Sequence, residues 1–152
     1  RRRHAAQGAR AAALGLSIAS TGALATLFAV TGGQASAGNQ VAVYYAKEKD
    51  GSPSKYAVIQ KDLYEPNCTH TWVIATDKKA VVTGIRVVEM SCPHAFPAKQ
   101  NSFLDQYKGK GPADVQGLKS EIHTIAKATG SCDLTTNAVV KTIQAVTVAG
   151  KK

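Results

Sequence analysis

The chain has 152 residues, enough for one modest domain and too few for two ordinary ones, which excludes large barrels and multidomain enzymes. Its 19% charged and 44% hydrophobic residues sit near globular averages and exclude both wholesale disorder and a multi-span membrane protein. Nineteen Lys and Arg against ten Asp and Glu give +9, a balance that raises nucleic-acid binding until the charges are located.

Four of those charges lead the chain. Arg1, Arg2, Arg3 and Arg10 precede an uncharged stretch, Ala11 to Val30, and Ala35-Ser36-Ala37 supplies an A-x-A site. A basic region, an apolar region and a small-residue cleavage site make residues 1–37 a signal peptide, with the mature chain starting at Gly38. The alternative is an N-terminal membrane anchor, since 20 uncharged residues can span a bilayer core, although Gly15, Ser17, Ser20, Thr21, Gly22 and Thr26 dilute the stretch. Either way the remaining chain is expected outside the cytoplasmic membrane, secreted or anchored, with no membrane contact beyond this segment. Beyond residue 37, fifteen basic residues face ten acidic ones, or +5. The lysines are scattered and Arg86 is the one arginine left, so no basic stripe with interleaved aromatics remains and nucleic acid is not an expected partner.

Residues 40–46, QVAVYYA, carry β-branched and aromatic residues and predict a strand; Lys47 to Ser54 is a turn around Asp50-Gly51, and Lys55 to Gln60 a second strand. Thr69 to Asp77 and Ala80 to Met90 are two β-rich runs separated by Lys78-Lys79, the layout of a hairpin. Val81, Thr83, Ile85, Val87 and Glu89 alternate with Val82, Gly84, Arg86, Val88 and Met90, so both faces of the second run are largely apolar. Pro93 and Pro97 end the strand. Ala98 to Lys110 predicts a short helix with Phe103, Leu104 and Tyr107 on one side and Gly109 closing it. Another short helix is expected from Pro112 to about Ser120. Thr135 to Val146 predicts the strongest helix, striped by Ala138, Val139, Ile143 and Val146 and capped by Thr135 or Asp133. The fold class is α+β: a small antiparallel sheet with a long hairpin, packed against two to three helices. Residues 38–68 form a strand-containing lead-in to a domain over 69–152.

No G-x-S-x-G, paired-carboxylate motif or C-x-x-C-H is present. Two segments are informative, SCPHAFP and ATGSCDLTTNAVV. In the second, Gly130, Ser131, Thr135 and Thr136 lead into the periodic helix, and free N–H groups at a helix N-terminus suit a phosphate as well as an ordinary cap.

Read together, SFLDQYKGK, the spacer with DVQGL, and ATGSCDLTTNAVVKTI resemble the FMN-binding domain family. That domain occurs in the C subunit of sodium-translocating NADH:quinone reductase, in the equivalent subunit of Rnf electron-transport complexes and in secreted single-domain relatives. Its members place a helix of the form F-L-x-Q-F-x-G-K before a segment D-x-x-S-G-A-T-x-S-S-x-A-V, and Gly84 to Glu89 with Ser91 to His94 are similar to its strand and E-T-P-G turn. The resemblance spans about residues 70–146. It implies an extracytoplasmic electron carrier, with a redox protein partner in the cell envelope rather than a substrate of its own. It also implies FMN at Cys92, Pro93, Thr129, Gly130, Ser131, Thr135 and Thr136. Aligned without a gap, Asp133 stands where the family's flavin-linked threonine would be, which implies noncovalent flavin; an alignment with inserted residues keeps Thr129 as an attachment candidate.

Two alternatives come from another class: a flavin-free structural or interaction module of the envelope stabilised by a disulfide, and a metal-binding module. Cys68 with His70, and Cys92 with His94, are i, i+2 pairs flanking the hairpin, and could converge as a two-Cys, two-His metal site. Outside the cytoplasm Cys68 and Cys92 can instead form a disulfide, leaving Cys132 as an odd thiol or as the true partner of either. A straight ladder about Lys78-Lys79 sets Cys68 opposite residue 89, so a Cys68–Cys92 bond requires the chain to bend back at Pro93. His123 reads as a surface residue, and Asn67-Cys68-Thr69 fits a glycosylation sequon.

Overall fold

The computed structural model describes residues 28–30, 41–64 and 67–151. The leader expected over residues 1–37 lies outside them, apart from Phe28–Val30, whose backbone forms a three-residue strand, β1. β2 (Val41–Lys47), β3 (Pro53–Tyr64), β4 (Cys68–Asp77) and β5 (Val82–Met90) follow, and the sheet is an antiparallel meander in the order β1-β2-β3-β4-β5. The fold is thus α+β, as the patterning predicts. The 68/69 division falls at the start of β4, within a sheet that continues from β2 through β5.

β4 shows the cleanest period of two. His70, Trp72, Ile74 and Thr76 are buried, and the residues between them are half-exposed. Tyr56, Val58 and Gln60 from β3 share that inner face. β5 departs from simple alternation because its pairing with β4 shifts twice. Thr76 faces Val82 but Ala75 faces Gly84, and Trp72 faces Val87 but Thr71 faces Glu89, so Thr83 and Val88 are extra residues in β5. Each bulge turns the strand over, which is why Ile85 and Val87 pack against the core along with Val82 and Met90, while Val88 is 63% exposed. The shifts also carry β5 along β4 until Met90 faces His70, and Cys92 then lies across from Cys68 without any doubling back.

The hairpin turn spans four residues rather than two. The Asp77 carboxylate accepts the N–H groups of Lys79 and Val81 at 2.8 and 2.9 Å, and Ala80 takes φ 62° between them.

After β5 the chain does not form one continuous helix over 98–110. A 3-10 segment at Pro93–Lys99 runs into α1 (Asn101–Leu104) and a second 3-10 turn at Asp105–Tyr107. Phe103, Leu104 and Tyr107 point into the core as expected, and Phe103 meets Tyr107 edge to face at 5.6 Å. Gly109, at φ 81°, reverses the chain so that its N–H donates to the Val82 carbonyl. Pro112 to Gly117 are turns, and helix α2 is confined to Leu118–Glu121.

The long helix α3 (Thr129–Ala149) packs across β2, β3 and β4. Its inward stripe holds Ser131, Cys132, Thr135, Thr136, Ala138, Val139, Thr142, Ile143 and Val146. Burial of each aliphatic side chain there contributes roughly 1.5–3 kcal/mol. The predicted cap at Thr135 or Asp133 is corrected: the helix starts two turns earlier, with Ala128 as N-cap. Thr135 and Thr136 turn their hydroxyls onto the Ser131 and Cys132 carbonyls, at 2.8 and 3.0 Å, and so sit inside the helix instead of starting it.

Candidate functional site

One cleft, of about 160 Å3, lies where the first turn of α3 meets the bridged ends of β4 and β5. It is lined by Tyr64, Cys68, Cys92, Pro93, His94, Ala95, Lys127, Ala128, Gly130 and Ser131. Two other concavities, one beside Pro112 and the end of α3 and one around Tyr44 on the outer sheet face, contain no Ser, Cys or His.

The bridge comes first because it fixes the rest. Cys68 and Cys92 form a disulfide across a Cα–Cα distance of 5.0 Å, so neither sulfur is free to ligate a metal. Among the described residues no group of three His, Cys, Asp or Glu side chains is placed to hold a metal ion. Cys132, the third cysteine, is a buried free thiol; desolvation pushes its pKa up, and the Ile125 N–H donates to its sulfur at 3.5 Å.

Two residues beyond Cys68, the inward alternation of β4 puts His70 in the interior with no exposed surface. Its Nδ1 lies 3.1 Å from the Cys68 carbonyl oxygen and its Nε2 lies 2.9 Å from Ser131 Oγ. A carbonyl only accepts, so Nδ1 carries the proton; in the neutral ring Nε2 then accepts the Ser131 hydroxyl proton. Trp72 stacks on the ring at 5.5 Å and 30°, which fixes its plane. The Trp72 indole N–H meets no acceptor among the described residues.

Ser131 is the third residue of α3, 6% exposed, with its surface toward the cleft. The N–H groups of Thr129, Gly130 and Ser131 have no intrahelical acceptor, as expected for a first turn, and Ala128 makes no side-chain cap. The first intrahelical bond begins at Cys132, whose N–H donates to Ala128 O at 3.0 Å. Lys127, at φ 68°, leads into this turn. Tyr64, half exposed at the end of β3, lays its ring over Gly130 so closely that a Cβ there would stand 2.5 Å from it. Any larger residue there would push the exposed Tyr64 ring aside.

Of the residues expected from the sequence, Cys92, Pro93, Gly130 and Ser131 converge on the cleft from 39 positions apart, together with Cys68 and His94 of the alternative metal set. Thr129 is exposed at the first position of α3 and does not line it. Thr135 and Thr136 lie on the core side, and the Tyr107 hydroxyl donates to Thr136 Oγ at 2.8 Å. Asp133 is exposed and outside the lining. Sequence reasoning missed Tyr64, Lys127 and above all the pairing of His70 with Ser131, 61 residues apart.

The chemistry available is that of the first-turn amides of Gly130 and Ser131 and the Lys127 residue on one side, a hydroxyl held by an imidazole beneath, and a disulfide and Pro93 on the other side. Among the described residues no helix is long and apolar enough to cross a membrane. Compared with protein-family models, curated proteins and solved structures, the chain gives no match.

Proposed function

We propose that this is an extracytoplasmic electron-carrier domain that anchors the phosphate end of noncovalent FMN at the first turn of α3. The observation that carries the reading is the convergence of Cys92, Pro93, Gly130 and Ser131, four of the residues implied by the resemblance, on one cleft at unsatisfied helix amides. The donor set suits a phosphate: the N–H groups of Gly130 and Ser131 and the positive charge of Lys127 supply positive potential, and Asp133 is directed to solvent. The Ser131 hydroxyl donates to His70 Nε2, so it has no proton left for the phosphate, and Ser131 serves the site through its backbone N–H. Thr135 and Thr136 stay out of the site, their hydroxyls committed within the core. At about 160 Å3 the cleft suits the phosphate end, and exposed Tyr64, Pro93 and Phe96 offer apolar surface near its mouth for a ring. A bound flavin supplies the one- or two-electron chemistry, for a redox protein partner in the envelope. The disulfide supports an oxidising location.

The test is a titration of the full, oxidised chain with FMN and with riboflavin, followed by flavin fluorescence. FMN binding at least about tenfold tighter than riboflavin, weakened by Lys127→Ala, is the expected result; each tenfold step corresponds to about 1.4 kcal/mol. A protein indifferent to both refutes the proposal. It would favour the second reading, a flavin-free envelope structural or interaction module, whose support is Asp133 at the family's threonine position and the narrowness of the cleft.

A further inference from the structure

The hydrogen-bond chain beneath the cleft has a direction. The Cys68 carbonyl holds the Nδ1 proton of His70, Nε2 faces Ser131 Oγ at 2.9 Å, and Ser131 borders the cleft in the first turn of α3, whose N–H groups have no acceptor among the described residues. A hydroxyl bonded to an imidazole base, a third group orienting that base, and N–H donors beside the hydroxyl are the parts needed for acyl transfer. The third group is a backbone carbonyl, held at the disulfide-bonded residue Cys68 itself. Alanine in place of Ser131 would fill the helix equally well and would leave His70 free of a partner on the helix.

We infer that Ser131 and His70 form a nucleophilic pair able to cleave short-chain carboxylic esters, an activity that goes beyond the flavin reading and does not rest on it. Ser131 Oγ attacks the ester carbonyl carbon as its proton passes to His70 Nε2, and the carbonyl oxygen gains negative charge that the first-turn amides of α3 stabilise. The C–O bond to the alcohol breaks, and the alcohol leaves with the proton from Nε2. Water then attacks the acyl-Ser131, giving one proton to Nε2; that proton returns to Ser131 Oγ as the carboxylic acid departs. No electron transfer and no co-reactant besides water are involved. The size of the cleft, about 160 Å3, and its walls of Ala95, Ala128, Pro93 and the disulfide select small acyl groups, with the Tyr64 ring over Gly130 limiting entry.

The experiment uses the full, oxidised chain with 4-nitrophenyl acetate and, in parallel, a fluorophosphonate probe, mapping the modified residue by peptide mass spectrometry. The expected outcome is a burst of 4-nitrophenolate and modification of Ser131. Acylation should be at least about 100-fold faster than in Ser131→Ala, and reduced by roughly 10²–10⁴ in His70→Gln, the range for general-base assistance. Modification confined to Lys127 or to other hydroxyls, or none at all, overturns the proposal on the unaltered chain, whether or not a variant folds. A folded His70→Gln chain that acylates at the original rate overturns the role of the imidazole. Flavin titration of the same preparations separates this outcome from that of the phosphate-anchoring proposal.

Discussion

Reduction of the Cys68–Cys92 bond is a perturbation that changes no side-chain volume, and its cost can be worked from the fold. The bond closes a loop of sequence separation 24. The loop-entropy relation gives about 3.4 kcal/mol of stabilisation at 25 °C for a loop of that length, all of it acting on the unfolded chain. The native β4–β5 ladder reaches His70–Met90 on its own hydrogen bonds, and Ser91 N–H donates to the Thr69 carbonyl beyond it at 3.1 Å. The reduced protein should therefore keep its fold and lose stability without losing structure. Trp72 is the only tryptophan and has no exposed surface, so its fluorescence follows global unfolding. Urea titrations with and without a phosphine reductant, each extrapolated linearly, should differ by about 3 kcal/mol. A difference below about 1 kcal/mol would refute the reasoning, showing that the unfolded chain already holds these ends together.

Three further outcomes are expected. Cys132, buried and with its thiol pushed up by desolvation, should react with iodoacetamide at least about 100-fold more slowly in the native oxidised chain than in urea, because the thiolate is the attacking species; equal rates would contradict its placement. Burial raises the Tyr107 phenol well above its ordinary value near 10, so the unfolded chain gives up a proton that the folded one keeps. Its contribution is full below pH 10 and is lost as pH rises beyond that value, so the urea midpoint should fall above pH 10, and Tyr107→Phe should flatten part of that fall. Lys127→Gly removes a left-handed non-glycine residue at φ 68° and should raise stability by about 1 kcal/mol while weakening FMN binding; calorimetry and the flavin titration measure the two effects separately, and a loss of stability would contradict the first.

The α+β class, the strand at β2, the two arms of the hairpin and the inward trio Phe103, Leu104 and Tyr107 were legible because each rests on a local period or turn residue. The bulges were not. Thr83 and Val88 are ordinary strand residues, and nothing in their chemistry marks them as the ones that fall out of register. The start of α3 was misread for a physical reason. Ser, Thr and Asp favour caps when their side chains are free to bond the backbone ahead of them. Here Thr135 and Thr136 bond the carbonyls behind them while Tyr107 and β4 cover that face, and tertiary burial draws the helix back to Thr129. The cleft was half visible, since its motif residues could be named, but the contact of His70 with Ser131 exists only once α3 crosses β4.

The bond from the Gln60 amide to Thr142 Oγ, at 3.2 Å, reinforces the way β3 is threaded. One side of β3 carries Tyr56, Val58 and Gln60 and the other carries Lys55, Ala57, Ile59 and Lys61, so the two lysines already mark the outer face. A slip of one residue would turn Lys55, Ile59 and Lys61 inward and send Gln60 to water. It would also strand Thr142 in the interior of α3 without its partner from the sheet, at about 1–3 kcal/mol for an unmet buried polar group. The same slip would move Tyr64 to the opposite face, away from Gly130. The polar pair thus adds to the lysines in fixing strand identity, and the placement of Tyr64 at the entrance to the cleft is tied to an amide four residues earlier on the same face of β3.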